Sequence, residues 1–228
     1  RSEGPPRPDP ALTTQSSRVE PMPIAVVPFF DEGGAGSLAA DIQRVVTADL
    51  TGTVVVTYGD VPLLTPETLA TLVATHEADG NAVTVLTATL EDATGYGRIV
   101  RDAEGLVERI MEHKDALAHA ESTGDDSFVA IREVNSGIYA FDAAVLRESL
   151  AQVGTDNAQG EKYLTDVIKI AREEGRTVVA HPLADLQQTE GVNDRVQLAR
   201  MNAEVNRRIV TGWMRAGVTV VDPISTWI

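Results

Sequence analysis

The sequence predicts an α/β fold on a mainly parallel sheet, from three observations. Short β-branched runs, such as Val54-Val55-Val56 and Ala82 to Ala88, alternate with segments whose apolar residues recur at helical spacing. Helix-start and helix-stop signals punctuate them, as at Thr65-Pro66-Glu67 and Gly80. The 228 residues are 43% hydrophobic, enough for one large domain, or one domain with an appendage, around a substantial core.

In chain order, Arg1 to Pro23 is rich in Pro, Ser and charge and reads as a disordered or poorly packed arm. It lacks the apolar stretch of a secretory leader. Because the chain begins with Arg, an upstream segment is expected to have been removed. Ile24 to Phe30 reads as a strand demoted by Pro28, Asp31 to Ser37 as a flexible turn, and Leu38 to Asp49 as a helix. After the Val54 strand, Thr65 caps a helix with Pro66 at its first position and Leu69, Leu72 and Val73 inward. Arg98 to Arg101 and Leu106 to Glu112 form a strand pair, part of a strand-rich lid or side wall ending near Phe141. Val134 to Phe141 is a strand interrupted by Gly137. Ala143 to Gln152 and Glu161 to Glu174 read as helices, and Thr177 to Ala180 as a strand. Asn193 is expected to cap a helix reaching about Arg215, with Leu198, Met201, Val205 and Ile209 as its apolar stripe. Gly217 to Val221 is expected to be a last short strand.

Composition excludes several function classes. A formal net charge of -15 opposes non-specific nucleic-acid binding, and no apolar run is long enough to span a bilayer. No nucleic-acid or membrane partner is expected. Cysteine is absent, which removes disulfides, thiolate chemistry and cysteine zinc sites and suits a reducing cytoplasm. His76, His113, His119 and His181 show no metal-ligand spacing. Gly33-Gly34-Ala35-Gly36 matches neither the dinucleotide fingerprint nor the P-loop.

The candidate chemistry begins at Tyr58-Gly59-Asp60-Val61-Pro62. Gly59 lets the backbone turn, Asp60 stands at the strand's C-terminal end, and Pro62 forbids continuation. Ligands of open α/β sheets bind beyond such strand ends. A carboxylate held there suits a divalent cation that bridges phosphate oxygens, or is simply a turn aspartate. Gly95-Tyr96-Gly97 permits close backbone approach of a ligand, or is a bulge with a packed tyrosine. Glu112 could accept hydrogen bonds from sugar hydroxyls, or belong to a solvated charge cluster with His113, Lys114 and Asp115. Asn135 can offer both donor and acceptor to a ligand, or satisfy its own backbone neighbours. Asn193 can cap a helix, or lend its carbonyl oxygen to a cation at Asp60.

Six segments occur in one order: Tyr58 to Leu63, Gly95 to Ile99, Glu112 to Ala116, Glu133 to Gly137, Asn157 to Glu161 with Tyr163 to Asp166, and Gly191 to Leu198. Together they resemble the uridyltransferase domain of the bacterial bifunctional N-acetylglucosamine-1-phosphate uridyltransferase/glucosamine-1-phosphate acetyltransferase. The resemblance runs from Thr53 to Ile228. It implies a Rossmann-like nucleotide-diphospho-sugar transferase fold over residues 24–222, N-terminally incomplete, with 223–228 beginning a linker to an absent domain. It implies Mg2+-dependent UMP transfer from UTP to N-acetylglucosamine 1-phosphate, releasing pyrophosphate, in cell-envelope precursor synthesis. Under it Asp60 and Asn193 hold the Mg2+, and Tyr58 and Gly59 line the nucleotide-sugar site. Gly97, Glu112 and Asn135 contact the sugar, with Tyr163 and Thr165 as further contacts. Gly34 and Ala35 stand for part of the nucleotide loop.

The resemblance fails upstream. The family's opening motif L-A-A-G-x-G-T-R-M and its later P-K do not occur. Phe29 stands where a uracil-reading glutamine belongs, and Gly34-Ala35-Gly36-Ser37 stands for Gly-Thr-Gly-His. A truncated or rearranged N-terminus, and weakened or absent activity of this chain alone, are the expectations. The family's β-helix is missing too, so a monomer is expected. The alternative function is a non-catalytic remnant that binds a sugar phosphate or serves in assembly. A related metal-dependent glycosyltransferase is disfavoured, because Asp60-Val61-Pro62 replaces its Asp-x-Asp.

Overall fold

The central element is a ten-residue strand, β5 (Glu133–Asp142), whose two edges organise everything else. A computed structural model describes residues 52–228. The expectations for the arm, the 24–30 strand, the 38–49 helix, Phe29, Gly34 and Ala35 lie outside the described residues.

One edge of β5 pairs antiparallel with β2 (Val83–Thr89), which pairs in parallel with β6 (Val178–Pro182). The other edge is shared. β1 (Thr53–Val56) runs antiparallel along its C-terminal half, with Val56 opposite Tyr139. β3 (Arg98–Arg101) meets its N-terminal end, with Arg98 opposite Val134. β4 (Val107–Met111) closes a hairpin on β3. The sheet is mixed, but its parallel share is smaller than the strand–helix alternation suggested. Among the described strands only β2–β6 is a parallel pair. β1, β2 and β6 do share a direction; β5 enters between β1 and β2 running the other way and makes both contacts antiparallel.

Helices cover both faces. Tyr139 and Phe141 of β5 point with Val83 and Val85 toward α4 (Ala143–Leu150) and α5 (Asp166–Glu173), burying Val145, Leu146, Leu150, Val167 and Ile168. Ile138 and Ala140 point with Leu86 to the opposite face, against Leu72 of α1 (Pro66–Ala78). Full burial of such side chains is worth about 1.5–3 kcal/mol each. On α1, Thr65 accepts a hydrogen bond from the Thr68 amide and Pro66 opens the first turn, as expected. α2 (His113–Thr123) and the single turn α3 (Ser127–Ala130) pack beside the β3–β4 hairpin.

Four local expectations need correction. The 161–174 helix begins only at Asp166. Its upstream residues are diverted into side-chain contacts: Glu161 O accepts from the Asn157 amide (2.5 Å), and the Thr165 hydroxyl donates to Glu112 (2.9 Å). α6 (Arg195–Arg215) is capped by Asp194 rather than Asn193. Asp194 accepts from the Gln197 amide (2.7 Å), and Gln197 accepts from the Asp194 amide in return (3.2 Å), a reciprocal capping box. The apolar stripe is rotated: Met201 and Val210 are buried, while Leu198 and Ile209 are exposed. Residues 217–221 form no strand. They pair with no strand among the described residues, and Val221 is 96% exposed.

Candidate active site

β1 and β3 occupy opposite ends of the same β5 edge, which leaves a notch along residues 135–138. A cavity of about 350 Å³ opens there, just beyond the C-terminal end of β1. Opposite Leu86, β5 carries a bulge between the pairs Val85–Tyr139 and Thr87–Asn135. Gly137 sits in that bulge with φ +79°, a conformation few side chains tolerate. The Tyr58 ring lies directly over it, so close that a β-carbon would stand 1.8 Å from Cε2. The bulge thereby turns a strand edge into a floor for an aromatic ring.

Asp60 and Asn193 come together in this cavity from distant parts of the chain. The Val192 amide donates to Asp60 O (3.0 Å), stitching the two segments. Gly191 lies between the side chains. A β-carbon there would be 3.0 Å from Asp60 Oδ2 and 3.9 Å from Asn193 Nδ2. A half-turn about χ2 of Asn193 presents its carbonyl oxygen instead of that nitrogen. One carboxylate and one amide oxygen, beside a space that only glycine leaves open, fit a hard cation such as Mg2+ that retains water and phosphate ligands. Among the described residues no group of three or more His, Cys, Asp or Glu side chains has a metal-holding arrangement.

The opposite wall carries Glu112, the residue that precedes α2. Burial raises its pKa above 4.5; the Thr165 hydrogen bond opposes this, and Asp115 and Asp166 add to it. Burial, Glu112 and Asp60 likewise push the Tyr58 phenol upward. Asn135 is already engaged. Its amide nitrogen donates to the Tyr139 hydroxyl (2.6 Å) and its Oδ1 accepts from the Gly137 amide (2.9 Å). Both alternatives for Asn135 therefore hold at once: it serves its own strand and still lines the cavity. Gly97 accepts from the Asn135 amide (2.9 Å), which brings its loop to the rim. Tyr163 and Thr165 line the far side, where the Gln159 amide donates to the Tyr163 hydroxyl (2.8 Å). Gly59 is exposed between Tyr58 and Asp60 and does not line the cavity.

Sequence reasoning missed three supporting residues. Tyr139 is buried, its phenol pushed far upward by burial, and it holds Asn135. Arg98 is 2% exposed; its guanidinium donates to Tyr96 O and meets His113 Nδ1 (3.3 Å), which ties the 95–97 loop to α2. Gln188 is buried, one residue before Thr189 of the cavity lining. Tyr139 had a local signal, standing four residues after Asn135 on one strand; the other two had none.

Known proteins share this architecture. The model of the nucleotidyl transferase family matches residues 9–217. The chain belongs to that family. Over 205 residues it is 68% identical to the bifunctional protein GlmU of Micrococcus luteus, covering 90% of this chain and 41% of that protein. It is 67% identical over 180 residues to the bifunctional protein GlmU of Pseudarthrobacter chlorophenolicus, covering 79% and 35%. This nucleotidyl transferase chain thus spans about two fifths or less of the curated relatives it matches. A CMP:2-keto-3-deoxy-manno-octonic acid synthetase complexed with CTP shares the fold at TM-score 0.51 and 14% identity, over 75% of this chain and 68% of that one. No helix among the described residues is long and apolar enough to cross a membrane.

A first variant tests the Glu112 wall. Glu112→Gln keeps an acceptor for Thr165 but removes a buried negative charge. Its native pKa is raised, so the folded state holds that proton more tightly than the unfolded chain does. The burial cost is therefore complete above the raised native value, shrinks as pH falls through it, and is gone below about 4.5. Glu112→Gln is expected to unfold at a higher temperature than the parent at pH 7, with the two curves converging below pH 4.5. Equal melting temperatures at pH 7 would contradict the charge-burial account.

Proposed function

We propose that this chain carries UMP transfer from UTP to N-acetylglucosamine 1-phosphate, giving UDP-N-acetylglucosamine and pyrophosphate. The supporting observation is the meeting of Asp60 and Asn193 across Gly191 in a cavity whose other wall bears Glu112, Asn135 and Thr165. An oxygen of the sugar phosphate attacks the α-phosphorus of UTP, and the bond from that phosphorus to the pyrophosphate oxygen breaks. The sugar phosphate is already anionic, so positioning matters more than a protein base.

Asp60 and Asn193 would hold the Mg2+. That ion, when bound, supplies positive charge to the phosphates in a chain whose own net charge is -15. Glu112 and Asn135 hold the sugar through its hydroxyl and amide groups, with Thr165 orienting Glu112. Tyr58 closes the cavity from above Gly137 and excludes water from that side. Gly97 offers backbone to the nucleotide sugar, and Tyr163 braces the far wall. Because the reaction draws on UTP, the reading places the protein in the cytoplasm.

A second reading, a sugar-phosphate binder without transfer, draws on the wall of Glu112, Asn135 and Thr165 alone. The deciding experiment mixes the protein with UTP, N-acetylglucosamine 1-phosphate and Mg2+ and measures pyrophosphate. Release that requires both substrates and the metal supports transfer. Calorimetric binding of the sugar phosphate, with no release and no UTP binding, supports the second reading and overturns the first.

A further inference from the structure

Next to the cavity, whose lining includes Thr189, stands a hydrogen-bonded knot that no part of the proposed chemistry uses. The single turn of 3-10 helix at Leu186–Thr189 begins at Asp185 and carries Gln188, which is 7% exposed. Gln188 Oε1 accepts from the Thr68 hydroxyl (2.6 Å) and from the Thr65 amide (3.2 Å), with the Thr65 hydroxyl also at 3.2 Å. These donors form the first turn of α1, the helix that follows the Asp60-Val61-Pro62 turn. The Gln188 amide donates in turn to Asp185 Oδ2 (3.4 Å). Arg208, on the body of α6, donates to the same Asp185 oxygen (3.3 Å) and to Gln187 Oε1 (3.1 Å). The turn thus joins the helix after Asp60 to the helix after Asn193.

We propose that Gln188 is a positioning residue that fixes the separation of Asp60 and Asn193, and so the affinity of the site for a divalent cation; this rests on the cation reading above. The side chain suits the task. One amide oxygen accepts several donors from α1, while its nitrogen faces a carboxylate, so a single orientation satisfies every partner. The backbone bond from Val192 to Asp60 also ties the two segments, but it joins main chains and does not reach the helices. Gln188 makes no contact with the cavity itself, and its effect passes through the two ligands.

The test uses Mn2+ alone as the probe and the NMR signal of the Gly191 amide as the readout, since paramagnetic broadening there reports on this site and not on the acidic surface. Gln188→Ala is expected to raise the Mn2+ concentration needed for half-broadening about tenfold, the usual scale for groups that orient metal ligands. Gln188→Met keeps the length and volume of the side chain but neither its acceptor nor its donor, and is expected to lose as much affinity as alanine, whereas a role in packing alone would spare it. Thr68→Val removes the shortest bond while keeping the side chain's shape, and should shift the midpoint in the same direction by less; it carries the test if Gln188→Ala does not fold. A folded Gln188→Ala with an unchanged midpoint, or a Gln188→Met variant that keeps the parent midpoint, overturns the proposal alone. Broadening that survives Asp60→Ala overturns the cation reading, and this inference with it.

Discussion

Asp60→Ala is expected to lower pyrophosphate release by about 10²–10³-fold, the largest catalytic loss of any single substitution in this chain. Charge stabilisation by a bound metal is worth several kcal/mol in a phosphoryl transfer, and each 1.36 kcal/mol is a factor of ten. Among the described residues Asp60 and Glu112 are the carboxylates that line the cavity, and of the two Asp60 stands at Gly191 beside Asn193. The loss should appear in kcat and in the Mg2+ concentration needed for half-activity, while the sugar phosphate, held by the Glu112 wall, keeps its affinity. Asp60 is exposed, and its backbone bond to Val192 does not involve the side chain. Stability should therefore stay within about 0.5 kcal/mol of the parent. A melting curve and a pyrophosphate assay on one preparation separate the two effects. Full release by Asp60→Ala would remove the metal role.

Why the sequence shows Asp60 so readily, and Gln188 not at all, follows from the range of the interactions. Asp60 is announced by its neighbours: a β-branched run, a glycine, the carboxylate and a proline that stops the strand. The start of α1 is equally local, with its Thr65 cap and Pro66. Even the misplaced cap of α6 was legible, because Asp194 with Gln197 spells a capping box that Asn193 does not complete. The direction of β5 had no such signal. Strand orientation is set by how the chain returns to the sheet, and the residues of a buried strand read alike in either direction. The 217–221 segment erred in the opposite sense: β-branched residues favour a strand only where a partner exists. Gln188 meets its partners 120 and 123 residues away along the chain, so nothing beside it could reveal what it does. All six ordered segments reach one cavity once the fold is formed, with Asn157 to Asp166 supplying its far wall.

Gly137→Ala tests whether the floor of the cavity depends on a missing side chain. Two costs arise together. A β-carbon at φ +79° is strained by about 1–2 kcal/mol. It also overlaps the Tyr58 ring, at 1.8 Å from Cε2, 2.7 Å from Cδ2 and 2.8 Å from Cζ, so the ring must leave. Tyr58 is 37% exposed, and its route outward is open. The protein should therefore fold with the ring displaced, losing about 2–3 kcal/mol in all and roughly 4–12 °C in melting temperature. The same displacement opens the cavity to water, and the KM for the sugar phosphate should rise. Strain and overlap separate in a double-mutant cycle. In a Tyr58→Ala background nothing remains for the β-carbon to strike, so Gly137→Ala should cost only the backbone strain and leave KM where Tyr58→Ala alone puts it. Equal costs in both backgrounds would mean that Tyr58 does not rest on Gly137, and that the bulge serves the strand rather than the site.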